Sequence, residues 1–387
     1  MRIGHYVSVV AGQKGFENNV SGHIQLPLRA MELLADAGHE VHLITNEFGD
    51  DRSLPNCLPR AAKMHYVADG RRRGQVLQRT GGFGKGFHPL RTVRQMRQIL
   101  NIAREEKFDV FHAYGVNRSA QLPGVLRMMG LSIPTVGSLA AAQFPERIPR
   151  VLSRALWNRV DVVLTATEFV QRRCASNGVD VRLLRHGVIR DLKEELGMDT
   201  PGERNRVLFW RDPSPENGAD VVMQVYENLA ARHPDVRFTM AIRPHWNEIP
   251  GLDEWADRFD NVEVLRFPYE KGITLPKLMF ESLCVFMPIR EMSIQPQLVI
   301  AESMAVGVPV LATNKDSTPE LFEHGKGGML FPEGDADAAT TMLDQMLGDR
   351  PRLDEMGIAA RRAIEDEWNW DHYVEQLTAI YRELGVK

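Results

Sequence analysis

Cysteine is scarce. The chain has three in 387 residues, Cys57, Cys174 and Cys284. An odd number so widely spaced gives neither a disulfide framework nor a zinc knuckle, and it points to a reducing compartment, so a cytoplasmic location is expected. Long apolar runs are missing too. No stretch reaches the roughly 18 apolar residues of a membrane span. The opening segment MRIGHYVSVVA is too short in apolar residues for a signal peptide and reads as a first buried strand. Neither sign of charge dominates, with 47 Lys and Arg against 51 Asp and Glu and a net charge of −4. Nothing in that balance draws the chain to nucleic acid, and contact with a membrane is expected to be peripheral at most. Internal repeats and low-complexity tracts are absent.

What is present is enough apolar material, 43% of residues, for proper cores, in a chain whose length fits two domains. Strand and helix patterns alternate along it. Strands are expected at 2–10, 41–45, 108–112, 133–138 and 160–165, and helices at 25–37, 90–106, 119–129 and from 167 or 168 onward. A charged linker, 190–205, precedes a second set. Strands there are expected at 206–211, 236–242, 262–266, 283–287 and 308–312. Helices are expected at 219–232, 275–282, 298–306, 336–347 and 353–367, with a last one ending near 384. Residues 49–88 are the least regular part. They hold Arg71-Arg72-Arg73 and the glycine-rich TGGFGKGFH of 80–88. This reads either as a flexible lid that greets an acidic acceptor or as a plainly solvated charged face.

The most informative stretch is 284–322. Its centre, LVIAESMAV at 298–306, is an apolar helix with one charged residue, Glu302, which Gly307 and Pro309 then stop. A carboxylate on an apolar helix is costly unless something pairs with it. The helix starts from a turn, Ser293-Ile294-Gln295-Pro296, and the exposed N–H groups of such a start suit a phosphate. The run Glu302-Ser303-Met304-Ala305-Val306-Gly307-Val308-Pro309-Val310-Leu311-Ala312 resembles the nucleotide-sugar signature of the retaining glycosyltransferases of GT-B fold, in particular their family 4. Other matches follow in order along nearly the whole chain. Gly22 stands near the family's glycine-rich turn, and Gly38-His39-Glu40-Val41 matches a helix stop entering a strand. Asp109-Val110-Phe111-His112 resembles a D-V-x-H strand. His186-Gly187-Val188 closes the first half, Arg211 matches a strand-ending arginine, and GKGGMLF at 325–331 resembles a turn before a strand.

That resemblance implies an α/β chain of GT-B fold, with two Rossmann-like domains facing a central cleft and a C-terminal helix crossing back to the first domain. The domains would be 1–190 on the acceptor side and 206–366 for the nucleotide sugar, joined by 191–205, with 367–387 as the crossover helix. The implied activity is retaining transfer of a sugar from a nucleotide-sugar donor to a hydroxyl of a small-molecule, glycan or lipid-linked acceptor. No cofactor and no metal are implied, the nucleotide sugar being a co-substrate. Glu302 would accept from the ribose hydroxyls. Arg211 would clamp the diphosphate with the helix start at Gln297, Leu298 and Val299, and His112 would approach the donor sugar from the first domain. Gly22 would let the backbone come close to the ligand. Two positions depart from the pattern. Asn217 stands where the family has a lysine, so it can hydrogen-bond but cannot neutralise charge. Ile294 stands where the family has a first glutamate. Arg243 or His245 is a candidate source of the missing charge. Two other readings stay open: a nucleotide-sugar epimerase or hydrolase on the same scaffold, and a catalytically weak or silent nucleotide-sugar-binding subunit.

Overall fold

The computed structural model describes residues 1–13, 22–48, 52–55, 57–68, 89–115, 118–141, 150–188, 204–243, 247–292 and 294–386. The Arg71–Arg73 run, the 80–88 glycine stretch, Pro145 and Pro149, most of the 190–205 linker, Pro244-His245-Trp246 and Ser293 lie outside the described residues. The chain divides into two compact units. The first is Met1–His186 together with Trp370–Lys387, and the second is Gly187–Asn369.

Fifteen strands are described in chain order: β1 (Arg2–Val7), β2 (Gly12–Gln13), β3 (Glu40–Asn46), β4 (Arg52–Ser53), β5 (Lys63–Val67), β6 (Val110–Gly115), β7 (Thr135–Leu139), β8 (Val162–Thr165), β9 (Arg182–Leu183), β10 (Arg206–Phe209), β11 (Arg237–Ile242), β12 (Val262–Arg266), β13 (Ser282–Met287), β14 (Val310–Thr313) and β15 (Gly328–Phe331). The first unit holds a seven-stranded sheet of order β5-β3-β1-β6-β7-β8-β9, parallel throughout, with β2 and β4 as a separate antiparallel pair. The second holds a parallel six-stranded sheet of order β12-β11-β10-β13-β14-β15. Taken in chain sequence, the second is the 3-2-1-4-5-6 order of a doubly wound fold. Its strand order reverses between β10 and β13, and ligands bind outside the carboxyl ends of the strands at such a reversal. The first sheet reverses between β1 and β6.

The central strands are buried on both faces and read as near-continuous apolar runs, as parallel sheets require. Val207, Leu208 and Phe209 in β10 and Cys284, Val285 and Phe286 in β13 are wholly inaccessible. In the first unit one face of the sheet is covered by the helix Gly22–Asp36, through Leu28, Met31 and Leu34. Tyr373, Leu377 and Tyr381 of the C-terminal helix Trp370–Glu383 belong to the same core. The other face packs on Ile99 and Leu100 of the helix Pro89–Glu105 and Leu122 and Leu126 of the helix Arg118–Met128. The chain's last helix is therefore part of the first unit's core. Trp370 stacks on His186 with ring centroids 6.0 Å apart.

Several elements differ from the sequence reading. β1 stops at Val7 rather than 10, and β10 stops at Phe209, two residues before Arg211. Within 49–88, read as irregular, β5 forms the edge of the first sheet, pairing with β3 from His42↔Lys63 to Asn46↔Val67. The strand expected to end at His112 runs on to Gly115, because Ala113 and Tyr114 continue the ladder with β1 and β7. Among the described residues no helix is long and apolar enough to cross a membrane.

Candidate functional site

In the second unit the predicted residues gather at the reversal between β10 and β13. Arg211 follows β10, and Pro215–Asn217 makes one turn of tight helix that leads through Gly218 into the helix Ala219–Ala230. Only glycine fits at 218. Its φ is +77°, and a Cβ there would lie 2.0 Å from the carbonyl oxygen of Pro288, which follows β13. This close approach holds the two loops of the reversal together. Arg290 reinforces it, donating to both carboxylate oxygens of Asp220 at 2.7 and 2.6 Å and to the carbonyl of Pro215 at 2.9 Å. The backbone N–H groups of Arg290 and Glu291 both donate to the Glu216 carbonyl at 3.0 Å.

Arg211 and Asn217 are brought into contact. The Arg211 Nε donates to Asn217 Oδ1 at 3.2 Å, while Asn217 Nδ2 donates to the Asp212 carbonyl and to Ser214 Oγ, each at 3.2 Å. Asn217 is buried, so all of its polar capacity toward the protein is used in setting Arg211 and its loop. Burial pulls the Arg211 guanidinium below its ordinary pKa. Asp212 opposes this, the charge of Arg243 adds to it, and Glu302 opposes it again. Arg211 therefore feels the charge of both Arg243 and Glu302.

Glu302 is buried in the helix Leu298–Ala305. Gln297 caps that helix, with its Nε2 donating to the Ile294 carbonyl at 3.0 Å. The backbone N–H groups of Ile300 and Ala301 donate to the Gln297 carbonyl. Those of Leu298 and Val299 have no backbone or side-chain acceptor among the described residues. They form the open end of the helix and carry its partial positive charge. Ser303 Oγ donates to the Val299 carbonyl at 2.8 Å and accepts from Trp210 Nε1 at 3.5 Å, which ties this helix to the end of β10. Gln295, buried beside Pro296, binds Asp316 and Ser317 from the loop after β14. Gly307, at φ +74°, turns the chain out of the helix. Ile294 is half-buried at the start of this segment and brings no charge.

Arg243 is exposed at the carboxyl end of β11, and its charge also reaches Tyr269, whose hydroxyl burial pushes up. Tyr269 meets Phe267 edge to face at 5.6 Å. Arg211, Asn217, Arg243, Gln297, Leu298, Val299 and Glu302 thus all lie in one unit, around the ends of its central strands.

His112 lies in the first unit, and its surroundings are closed. It is inaccessible, its Nδ1 is 2.6 Å from Tyr381 Oη, and its Nε2 is 2.7 Å from Ser138 Oγ. Its ring stacks on Tyr114 with centroids 4.0 Å apart. Burial, with His5 beside it, holds its pKa well below the histidine range, so it is neutral at pH 7. Because the strand runs to Gly115, His112 sits within the ladder and not at its open end. Its tie to Tyr381 spans 269 positions and no local pattern announces it. Gly22 is the first residue of the helix Gly22–Asp36, at the beginning of the first unit's first crossover.

The fold and the domain order have counterparts among known proteins. Residues 22–186 match the glycosyl transferase 4-like domain, and residues 204–349 match the glycosyl transferases group 1 domain, together most of the chain. A GDP-mannose-dependent alpha-(1-6)-phosphatidylinositol monomannoside mannosyltransferase of Mycolicibacterium smegmatis is 26% identical over 58% of this chain, and the match spans 62% of that relative's length. A phosphatidyl-myo-inositol mannosyltransferase of the same organism is 25% identical over 95% of this chain and 92% of its own. Among solved structures, a glycosyltransferase from Rickettsia africae superposes with a TM-score of 0.72 at 14% identity, covering 99% of this chain and 98% of its own. HepE of Anabaena in complex with UDP-glucose gives a TM-score of 0.69 at 16% identity, covering 99% of this chain and all of its own. At these identities the superpositions speak for the fold, while the two domain matches, in order and nearly end to end, speak for descent. The chain belongs to the glycosyltransferases of GT-B fold, as a glycosyl transferase 4-like domain followed by a group 1 domain.

Proposed function

We propose that this protein is a retaining, metal-independent glycosyltransferase that moves a sugar from a nucleoside-diphosphate sugar to an acceptor hydroxyl. The observation that carries this reading is the constellation at the β10–β13 reversal. A half-buried guanidinium, Arg211, a helix start whose Leu298 and Val299 N–H groups have no acceptor among the described residues, and a buried carboxylate, Glu302, gather around the ends of one sheet. The guanidinium and the helix start suit a diphosphate, and the carboxylate suits a pair of ribose hydroxyls. Arg243 supplies the second positive charge that Asn217 lacks. In this reading 206–366 binds the donor, 1–190 receives the acceptor, and 367–387 completes the first domain.

In the transfer, the bond from the anomeric carbon to the phosphate oxygen breaks while the acceptor oxygen bonds to that carbon from the same face. The acceptor proton passes to the departing phosphate. Arg211 and the Leu298 and Val299 N–H groups stabilise the charge that grows there, which is the part of the reaction a fixed set of donors lowers most. His112 stands at the sugar end of the first domain's site. Ser138 is the half-buried partner of its Nε2, so a sugar hydroxyl reaches His112 by taking the place of Ser138. Gly22 gives the backbone room at the same end.

The deciding experiment is thermal shift and calorimetry over UDP, GDP, ADP, CMP and dTDP sugars, followed by product analysis with and without acceptor. Donor binding with sugar transfer supports the reading. Epimerisation or hydrolysis without acceptor points to the other chemistries, and absence of nucleotide binding points to a silent subunit.

A lipid-linked acceptor is a second reading with its own observation. Leu90 (77% exposed) and Val93 (42% exposed) stand out at the start of the helix Pro89–Glu105, beside the exposed Arg94 and Arg97. Apolar and basic groups on one face favour an anionic membrane surface, and two mannosyltransferase relatives are named for phosphatidylinositol acceptors. Sedimentation with phosphatidylinositol vesicles against phosphatidylcholine vesicles, for wild type and Leu90→Ser/Val93→Ser, tests it.

A further inference from the structure

A second cluster of chemistry-bearing side chains lies on the edge of the first unit, away from the ends of the strands that carry the proposed site. His42 is the third residue of β3, and His65 is the third residue of β5. The register His42↔Lys63 puts His42, Lys63 and His65 on one face of the pair, since side chains alternate with period two. Glu106, just after the helix Pro89–Glu105, closes over them. The ligand-type atoms of His42, His65 and Glu106 all lie within 4.8 Å of one another.

The contacts in the cluster define its protonation. His42 Nε2 is 3.0 Å from Glu40 Oε1, and His42 Nδ1 is 3.0 Å from His65 Nε2. A carboxylate can only accept, so Nε2 of His42 carries the proton and Nδ1 presents a lone pair. His65 Nε2 therefore donates into that lone pair. The rings are nearly coplanar, at 8° with centroids 5.3 Å apart, so the two nitrogens face each other across one shared hydrogen. Glu106 Oε2 is 3.9 Å from His42 Nδ1, and Lys63 Nζ holds both Glu106 oxygens at 2.7 Å.

From this arrangement we propose that His42, His65 and Glu106 form a binding site for a first-row divalent cation such as zinc, separate from the sugar-transfer site. Two imidazole nitrogens on a tetrahedral zinc sit roughly 3.3 Å apart when each bond is about 2.0–2.1 Å. The observed 3.0 Å is close to that spacing. The donor set, two neutral imidazoles and one carboxylate, suits zinc and its neighbours and leaves a fourth position for water. Glu40 on the far nitrogen of His42 is the partner that orients a metal-binding imidazole and fixes its tautomer. His65 is half-buried at the outer side, so it is the ring that turns out of plane as the ion enters. The hydrogen on its Nε2 moves through solvent to its Nδ1. Lys63 is 59% exposed and can swing away, the ion replacing its charge beside Glu106. The bound ion would fasten the edge strand β5 and the end of the helix Pro89–Glu105 to β3.

The test uses the tag-free full chain, stripped with chelator, and zinc alone as titrant in calorimetry, with cobalt as a spectroscopic stand-in. One ion per chain is expected, with a raised melting temperature and a cobalt spectrum of tetrahedral intensity. His65→Asn and Glu106→Gln should each weaken zinc binding at least about ten-fold, and Glu40→Gln, which touches no ion, about ten-fold as well. Lys63→Met should strengthen binding, because it removes the competing ammonium. Far-ultraviolet circular dichroism checks that each variant is folded. No saturable uptake, or uptake undiminished in both His65→Asn and Glu106→Gln, overturns the site. Weaker binding in Lys63→Met removes Glu106 from the ligand set and overturns the site as drawn.

Discussion

Asn217 is the hydrogen-bond acceptor of Arg211, Oδ1 to Nε at 3.2 Å, at the position where the resemblance leads one to expect a second cation. The asparagine is thus part of the arginine's mounting. Asn217→Lys would remove three hydrogen bonds and set an ammonium against the guanidinium in a buried place. It should destabilise the second unit by about 1–3 kcal/mol and leave donor affinity unchanged or lower. Thermal unfolding and nucleotide titration of the same variant check this. A large gain in affinity would mean that the native site is under-charged and that Arg243 does not supply the deficit.

Removing the guanidinium separates two roles. Arg211→Ala should weaken a nucleoside diphosphate much more than the parent nucleoside, because the fork meets only the phosphates. Calorimetry with UDP against uridine, or GDP against guanosine, reads the difference. Equal losses would assign Arg211 to the loop's structure.

Glu302→Gln keeps the shape of the side chain and removes its charge. Its bonds to ribose hydroxyls should weaken by roughly 1–3 kcal/mol, about ten- to a hundred-fold in donor affinity. The fold should persist, since an amide is less costly to bury than a carboxylate. A 2′,3′-dideoxy donor is the control, because it should bind wild type poorly and lose almost nothing in the variant. Equal weakening of both donors would move the ribose elsewhere.

The His112–Tyr381 contact predicts a variant that spares nucleotide. Tyr381→Phe deletes the hydroxyl 2.6 Å from His112 Nδ1 and leaves a buried nitrogen without its partner. It should cost about 1–3 kcal/mol of stability while nucleotide affinity stays within error, since the proposed nucleotide site lies in the second unit. His112→Ala should lower turnover with nucleotide affinity nearly intact. A collapse of nucleotide binding in either variant contradicts the assignment.

Acid should unfold the first unit through its buried histidines. Burial pushes His5 down to about 3, and neither of its ring nitrogens has a hydrogen-bond partner among the described residues. The unfolded chain binds the proton near pH 6.5 and the folded one does not. The stabilisation is therefore present above the unfolded value and is lost as pH falls from there toward 3. The loss is on the order of a few kcal/mol for this residue. His5→Phe, which buries a ring with no polar atoms, should flatten the fall in melting temperature between pH 6.5 and 4. An unchanged slope would place the titration on other groups.

Much of this was legible in the sequence, and the illegible parts share a cause. Buried parallel strands announce themselves as apolar runs, and Arg211, Asn217 and Glu302 sit at fixed spacings from Gly218 and Gly307, so their gathering at the β10–β13 reversal could be anticipated. β5 was not, because an edge strand keeps one side open. Of its residues KMHYV only Val67 is buried, and they make no apolar run. The D-V-x-H resemblance ends the strand at His112, whereas the neighbouring strands pair with Ala113 and Tyr114 and hold them in the ladder. The partners of His112 and of His42 come from distant segments, and pairing at such separations leaves no periodic trace.

Because Tyr373, Leu377, Ile380 and Tyr381 are core residues of the first unit, that unit is unfinished while residues 187–369 are being made. At roughly 5–20 residues per second this interval lasts about 10–40 s. Throughout it the nascent first half lacks the Tyr373, Leu377, Ile380 and Tyr381 side chains that share its core with Leu28 and Met31. A ribosome that stalls in the second half leaves such a chain waiting. The helix Trp370–Glu383 is therefore the segment whose arrival from the ribosome completes the first unit's core.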